Sequence, residues 1–326
     1  MLIFLILCCS VCYEQTNFTV NPLYITSGST ISILDCFFHA LSSSSYSAGI
    51  FVQCSTIHVE ICRCGFFKCT CSHGAPSSGG ITLFSVNYAS IVKSCLDYCS
   101  SPHGQSYGIY GDNAASCLVV HFNLTYETRV GANSRPTHSS YIGGFNGCFF
   151  SNNNISDCSV WDSCGCGFYF YTPKDTTYIS FNQIARGYGI SIIFFYTTSC
   201  CPSMKSINVI NNTITNYYIN MNQNCQSIRI ESFVFARNSN VPLYGSTAIA
   251  SPPLIFIDCA FDIAQVSLIT NNCIMSSGNR FGAIYDLNYI SSFHINACLM
   301  KGELINPTLQ LQRGNIILFS VFFMIS

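Results

Sequence analysis

The stretch Ile31-Ser-Ile-Leu-Asp-Cys-Phe-Phe38 is a short β-branched run that ends on a Cys beside Phe. The phrase returns as Ile57-His-Val-Glu-Ile-Cys62, Ile207-Asn-Val-Ile-Asn-Asn212, Ile228-Arg-Ile-Glu-Ser-Phe233 and Ile255-Phe-Ile-Asp-Cys-Ala-Phe261. Its period-two alternation is the pattern of a strand with one buried face. Its return at intervals of roughly 20 to 30 residues is the signature of a stacked solenoid. Antiparallel hairpin turns of the Asn-Gly kind are scarce, Asn146-Gly147 being the notable exception, so the strands are expected to stack in parallel. The fold class is therefore all-β, a parallel β-solenoid of about 10–12 coils, on the order of 50 to 60 Å long at ~4.8 Å per coil. Cys36, Phe37, Ile57 and Ile255 are expected to point inward. An antiparallel sandwich or a propeller is the competing architecture, and the four-strand blade signature it needs is absent.

Composition sets limits on function. Of 326 residues only 8% are charged and the net charge is −1, which leaves no basic surface for nucleic acid. Mean hydropathy is +0.35, but the apolar residues come in short runs between Ser, Asn and Gly. The longest internal run, Ile190 to Tyr196, falls far short of the ~20 residues a spanning helix needs. The hydrophobicity is core material.

The chain divides into four parts. Residues 1–12 read as a signal peptide, with Leu2 to Val11 as its apolar region and cleavage near Cys12, although no Lys or Arg precedes it. Residues 13–30 read as an N-terminal cap and 31–312 as the parallel β-helix. Residues 313–326 hold the apolar Ile316 to Ile325, read as a last strand, with a lipid-anchor signal as the alternative. The longest irregular insertion, Glu127 to Tyr141, carries Arg129, Arg135 and His138 and is the expected interaction loop.

The chain has 22 Cys, of which Cys8, Cys9 and Cys12 lie in the leader. So many Cys suit an oxidising compartment, and disulfides are expected there. Cys in equivalent positions of adjacent coils can also sit in register as buried thiols. The pairing is not legible in the sequence.

Six Phe-x-x-Asn tetrapeptides begin at Phe18, Phe84, Phe149, Phe150, Phe235 and Phe293, where 26 Phe and 27 Asn would give about two by chance. Four more, from Phe51, Phe66, Phe145 and Phe256, carry Cys in the Asn place. With Gly79-Gly-Ile81 and Gly282-Ala-Ile284, the pattern resembles the polymorphic outer-membrane proteins of chlamydiae and related surface families of parasitic protists such as trichomonads. The resemblance spans about Ile31 to Asn296. It implies a single-stranded right-handed parallel β-helix of the pectate-lyase-like type, displayed outside the cell and associated with adhesion. Read from the residues alone, the Phe fills the coil interior, and the Asn bonds backbone at a tight turn and tolerates left-handed geometry. Cys in that place is expected to fill the volume without the bonds.

Three constellations bear on chemistry. Cys62-Arg-Cys64 and Cys69-Thr-Cys71, with His58 and His73, are the densest grouping of metal-ligand types, but a Cys-x-Cys step on a strand puts both sulfurs on one face, unlike zinc spacing. Cys164-Gly-Cys166 and Cys200-Cys201 are read the same way. Asp157, Asp162 and Asp175 are the densest acids, with His73, His103 and Arg229-Ile-Glu231 elsewhere. They form no adjacent pair of the kind a glycosidase needs, and with Lys174 and Lys205 they read as surface charges. Sequons stand at Asn17, Asn123, Asn154 and Asn211, and any that is used must lie on a loop. No catalytic, cofactor-binding or metal site is expected. The expected function is structural or adhesive at the cell surface or in secretion, toward a host-surface or glycan ligand and with membrane-surface association. A carbohydrate-active enzyme and a lipid-anchored surface protein are the alternatives.

Overall fold

The computed structural model describes residues 10–14, 16–73, 77–102, 107–110, 117–123, 126–128, 140–143, 145–159, 165–171, 177–196, 202–222, 227–246, 253–262 and 273–282. Among them there is no helix, and every strand pairing is parallel.

Three ladders run the length of the stack. The first climbs through Ser10–Glu14, Thr30–Leu34, His58–Cys62, Tyr88–Val92, Cys117–Asn123, Phe145–Ser151, Thr177–Ala185, Ser203–Ile210, Ile228–Glu231, Leu254–Ile257 and Cys273–Met275. That is eleven successive rungs among the described residues. The second ladder follows after one corner, through Asn17–Phe18, Phe37–His39, Gly65–Phe67, Cys95–Asp97, Tyr126–Thr128 and Asn154–Ser156. It ends on Val234–Ala236, Ala260–Phe261 and Arg280–Phe281. The third runs from Leu23–Ile25 through Ile50–Gln53, Ile81–Phe84, Tyr107–Tyr110, Ser140–Gly143, Gly165–Tyr171, Tyr188–Tyr196 and Thr213–Asn222 to Tyr244–Ser246. The stack thus begins earlier than Ile31, because Ser10–Glu14, Asn17–Phe18 and Leu23–Ile25 each take a rung. Residues 1–9 and 313–326 lie outside the described residues. So do Arg129, Arg135 and His138 of the expected interaction loop.

Period two makes the core. Ile33, Ile61, Ile91, Phe150, Ile179, Met204, Ile230 and Phe256 form one inward column of the first ladder, all buried. Phe38, Phe66, Leu96, Ile155, Ile184, Val209, Phe235 and Phe261 do the same on the second. Register turns like residues into stacks: Phe18, Phe38 and Phe66 lie face to face with centroids 4.5 and 4.7 Å apart. Phe235, Phe261 and Phe281 repeat this at 5.1 Å spacing. Such offset stacks add to the burial of large apolar area.

Two of the four residues expected inward are placed otherwise. Cys36 and Ile57 are buried, but Phe37 and Ile255 face outward and are only partly covered, since Phe38 and Phe256 hold the inward slots. The cause is the corner. Asp35, Arg63, Lys93, Asn152, Phe181, Ser206, Ser232 and Asp258 follow the first ladder with φ between 52° and 56°, in the left-handed region. Each consumes one residue and shifts the alternation by one, so Ile33 and Cys36 both point in. A second corner of the same kind is formed by Ala40, Lys68, Tyr98, Asp157, Arg186, Asn211 and Arg237. Left-handed geometry costs a residue with a Cβ roughly 1–2 kcal/mol, and here the ladder bonds offset it. The corner N–H groups donate onward to the next coil, as Asp35 to the Cys62 carbonyl at 3.0 Å and Lys68 to Asp97 at 2.9 Å. Asn146-Gly147 makes no hairpin, lying instead inside the strand Phe145–Ser151.

Candidate functional site

At several left-handed corners the N–H of the residue that follows finds a side-chain acceptor on the next coil. The Asn153 N–H donates to Asn182 Oδ1 at 2.9 Å, Gly187 to Asn212 Oδ1 at 2.8 Å, Asn212 to Asn238 Oδ1 at 2.9 Å and Cys259 to Asn279 Oδ1 at 2.9 Å. The same side chains donate back to the coil before: Asn182 Nδ2 to the Phe150 carbonyl, Asn212 to Ile184, Asn238 to Val209 and Asn279 to Phe256. Asn suits the place because one amide accepts and donates at once.

This is the physical content of Phe-x-x-Asn, in four of the ten tetrapeptides. In those from Phe150, Phe235, Phe66 and Phe256, the Phe fills the interior, the third residue is left-handed, and the fourth is the inward Asn or Cys. Left-handed geometry therefore falls one residue before the Asn or Cys. Cys at that place does form bonds, contrary to expectation. The Cys69 thiol reaches the Phe38 and Phe67 carbonyls at 3.5 and 3.7 Å, and Cys259 reaches Ile230 and Ile257 at 3.5 and 3.3 Å. Sulfur also accepts, from the Phe233 N–H at 3.4 Å. Ser94 plays the same part, donating to the Val92 carbonyl and accepting from the Cys64 N–H. The high Cys content is in good measure corner chemistry.

A buried group left without its partner costs about 1–3 kcal/mol. Asn182→Ala orphans the Asn153 N–H and the Phe150 carbonyl, and urea unfolding is expected to show a loss in that range. Asn182→Ser should recover part of it, as Ser94 does in its own coil. Equal stability of the alanine and wild-type chains would remove the corner amide from the energetics.

The chemical candidates are dispersed. Cys62 and Cys64 do not share a strand face, because left-handed Arg63 stands between them: Cys62 looks outward and Cys64 is buried. His58 meets Asn87 at 2.9 Å, and the His73 ring lies 4.4 Å from that of Tyr46. Among the described residues no three His, Cys, Asp or Glu are placed to hold a metal ion. Asp157 sits on the second corner, gripped through both oxygens by Arg186 at 2.8 and 2.7 Å. Asp162, Asp175, His103, Lys174, Cys164, Cys200 and Cys201 lie outside the described residues, and Lys205 is on the first ladder. Arg229 and Glu231 pair with each other at 3.0 Å. On the first corner Arg63 bonds both oxygens of Asp35 and holds that carboxyl below its usual range. Arg63 is half exposed, so the pair contributes at most about 1 kcal/mol.

Two surface features went unread in the sequence. Rings in register on the outer side of the third ladder stack along the axis: Tyr141 on Tyr169 at 5.3 Å, Tyr169 on Phe194 at 4.9 Å, and Tyr171 on Tyr196 at 5.0 Å. On the first ladder Phe149 and Tyr178 stack at 5.3 Å and are 40% and 45% exposed, with exposed Phe181 at the corner beyond. Outward aromatic positions on successive coils were the available signal, but it needs the register.

Among the described cysteines, Cys36, Cys64, Cys69, Cys99 and Cys259 of the corners are free thiols. No helix among the described residues is long and apolar enough to cross a membrane.

The class that this geometry defines is the parallel β-solenoid. No family model, curated protein or solved structure matches the chain.

Proposed function

We propose that the chain is a secreted or cell-surface β-helix protein with a structural and adhesive role, of the kind that the chlamydial and trichomonad surface families exemplify. The observation that carries this reading is the exposed aromatic surface on a rod of low charge. Phe149, Tyr178 and Phe181, with Tyr188 and Tyr196 near by in sequence, stand open to solvent on an uninterrupted parallel stack. Aromatic side chains are enriched where proteins meet partners, because they offer large contact area with little conformational freedom to lose. A rod held by inter-coil backbone bonds keeps such groups at fixed spacing. A host-surface or glycan ligand remains the partner this reading implies, with a signal peptide at residues 1–12 delivering the chain.

The sequons supply a second handle. Asn211 is exposed on a corner and Thr213 beside it is exposed, whereas Asn154, Ile155 and Ser156 are all buried. Asn17 is exposed on its strand, and the Asn123 side chain lies outside the described residues.

The test is expression of the full chain in its own cell type, with surface, medium and cytosol fractions analysed by intact mass and peptide mapping. The reading expects a chain lacking residues 1–12 in the surface or medium fraction, with any N-glycan on Asn211 or Asn17 and none on Asn154. Adhesion to host cells should fall at least several-fold in the triple variant Phe149→Ser, Tyr178→Ser, Phe181→Ser, with an unchanged circular dichroism spectrum. An intact chain confined to cytosol would sink the secreted reading. Adhesion indifferent to the three substitutions would sink the aromatic surface as its basis.

A further inference from the structure

Parallel register brings identical corner positions of successive coils directly above one another. Leu34 pairs with Cys62 and Phe37 with Gly65, so Cys36 lies beside Cys64. His39 pairs with Phe67 and Asp97 lies beside Phe67, so Leu41, Cys69 and Cys99 form the column of the second corner. Both pairs are buried, and in each the two thiols are neighbours across adjacent coils. In-register neighbours on adjacent strands are separated by ~4.8 Å, inside the range of Cα separations that a disulfide bridges.

We propose that Cys36–Cys64 and Cys69–Cys99 are sites of covalent cross-linking, each able to close a disulfide between consecutive coils. Among the other corner thiols, Cys259 stands between Phe233 and Asn279. Cys64 has Ser94 on its far side, whose hydroxyl oxygen accepts the Cys64 N–H bond but offers no sulfur. Two cross-links follow from the register, out of the many pairings that the cysteine count allows.

The chemistry is a two-electron exchange with an oxidised dithiol or glutathione disulfide. The Cys36 thiolate attacks one sulfur of that disulfide and expels the first thiolate. Cys64 then loses its proton and attacks Cys36 Sγ, and the second thiolate departs. Two S–H bonds are lost, one S–S bond is formed and the oxidant leaves as two thiols. The neighbouring Cys64 thiol holds Cys36 down at about 7, below the ordinary thiol range, which suits it to attack first. Burial pushes Cys64 and Cys99 well up, so they act second. Because all four sulfurs are sealed from solvent, closure belongs to folding or to an opened coil, and the closed bond resists reductants in the native state.

The test uses the purified full chain and therefore does not depend on where the cell delivers it. The chain is unfolded, reduced and refolded in a mixture of reduced and oxidised glutathione. Free thiols are then trapped with an alkylating agent in acid-quenched samples and mapped without reduction. The expected result is two cross-linked peptides, Cys36 to Cys64 and Cys69 to Cys99, with Cys259 alkylated. Dithiothreitol should open them at least tenfold faster in denaturant than in buffer. Cys64→Ser keeps the hydroxyl bonding that Ser94 shows is tolerated, and should delete the first link alone; Cys99→Ser should delete the second alone. Refolded chain, folded by circular dichroism, with all four thiols alkylated would overturn the proposal. So would cross-links to non-register partners at comparable yield.

Discussion

Phe235→Ala is expected to lower stability by about 3–5 kcal/mol, the range for removing a buried Phe from a packed core. The ring is buried at one end of a stack of three, 5.1 Å from Phe261 at an interplanar angle of 7°. Tyr218 and Phe256 meet it edge to face at 5.8 and 6.3 Å. Truncation leaves a cavity among side chains fixed by their ladder bonds, which limits how far they collapse to fill it. In a solenoid each coil contacts only its neighbours, so the damage should stay local. Hydrogen exchange read by mass spectrometry should speed by two to three orders of magnitude across Ile228–Glu231, Val234–Ala236 and Ala260–Phe261. Thr30–Leu34 and His58–Cys62 should exchange as in the wild type. Uniform acceleration through all coils would mean that the rod unfolds as one unit and would refute the nearest-neighbour account.

Gly79→Ala is expected to be as damaging, for the opposite reason. A Cβ at Gly79 would overlap the Ser100 nitrogen and the Cys69 carbonyl oxygen, the two ends of a backbone bond between adjacent coils. Overpacking a core commonly costs about 1–3 kcal/mol, when side chains can shift. Backbone on two coils cannot, so the loss should exceed about 3 kcal/mol, or the chain should fail to fold. Gly65→Ala is the control. Its Cβ would meet the Phe37 ring at 2.7 Å, and that ring is half exposed and free to swing outward. A denaturation midpoint within error of wild type is expected there. If Gly79→Ala were equally silent, the close approach of those coils would be wrong.

The two substitutions test different parts of one arrangement. Phe235 reports how much the interior stacks contribute, and Gly79 reports how tightly the coils are wound. The corner amides are a third kind of contact, bonding one coil to the next at its turns. The Asn182 series therefore shows whether the corners or the core set the local stability.

Some of this was legible in the sequence. The alternation of Ile31 and Ile33, and of Val59 and Ile61, is a property of neighbouring residues, and it returns as rungs of the first ladder. The repeat interval and the shortage of hairpin turns were enough to stack those rungs in parallel. Phe-x-x-Asn marked the corners and the interior Phe in the four tetrapeptides from Phe66, Phe150, Phe235 and Phe256. What the chain could not reveal residue by residue was parity and neighbourhood. Nothing in Asp35, Arg63 or Lys93 announces a left-handed backbone, yet each shifts the alternation and turns Phe37 outward where period two alone would bury it. Ile255-Phe-Ile257 is apolar at every position, so only its register with Ile228–Glu231 selects Phe256 for the interior. Which Cys lies beside which depends on the length of each coil, set by loops whose sequences carry no ruler. Tertiary register decided that Cys36 meets Cys64 and Cys69 meets Cys99, while Cys259 lies between Phe233 and Asn279. The physical reason is that a parallel stack fixes contacts between residues one coil apart through backbone bonding, and that distance lies beyond the reach of any local pattern.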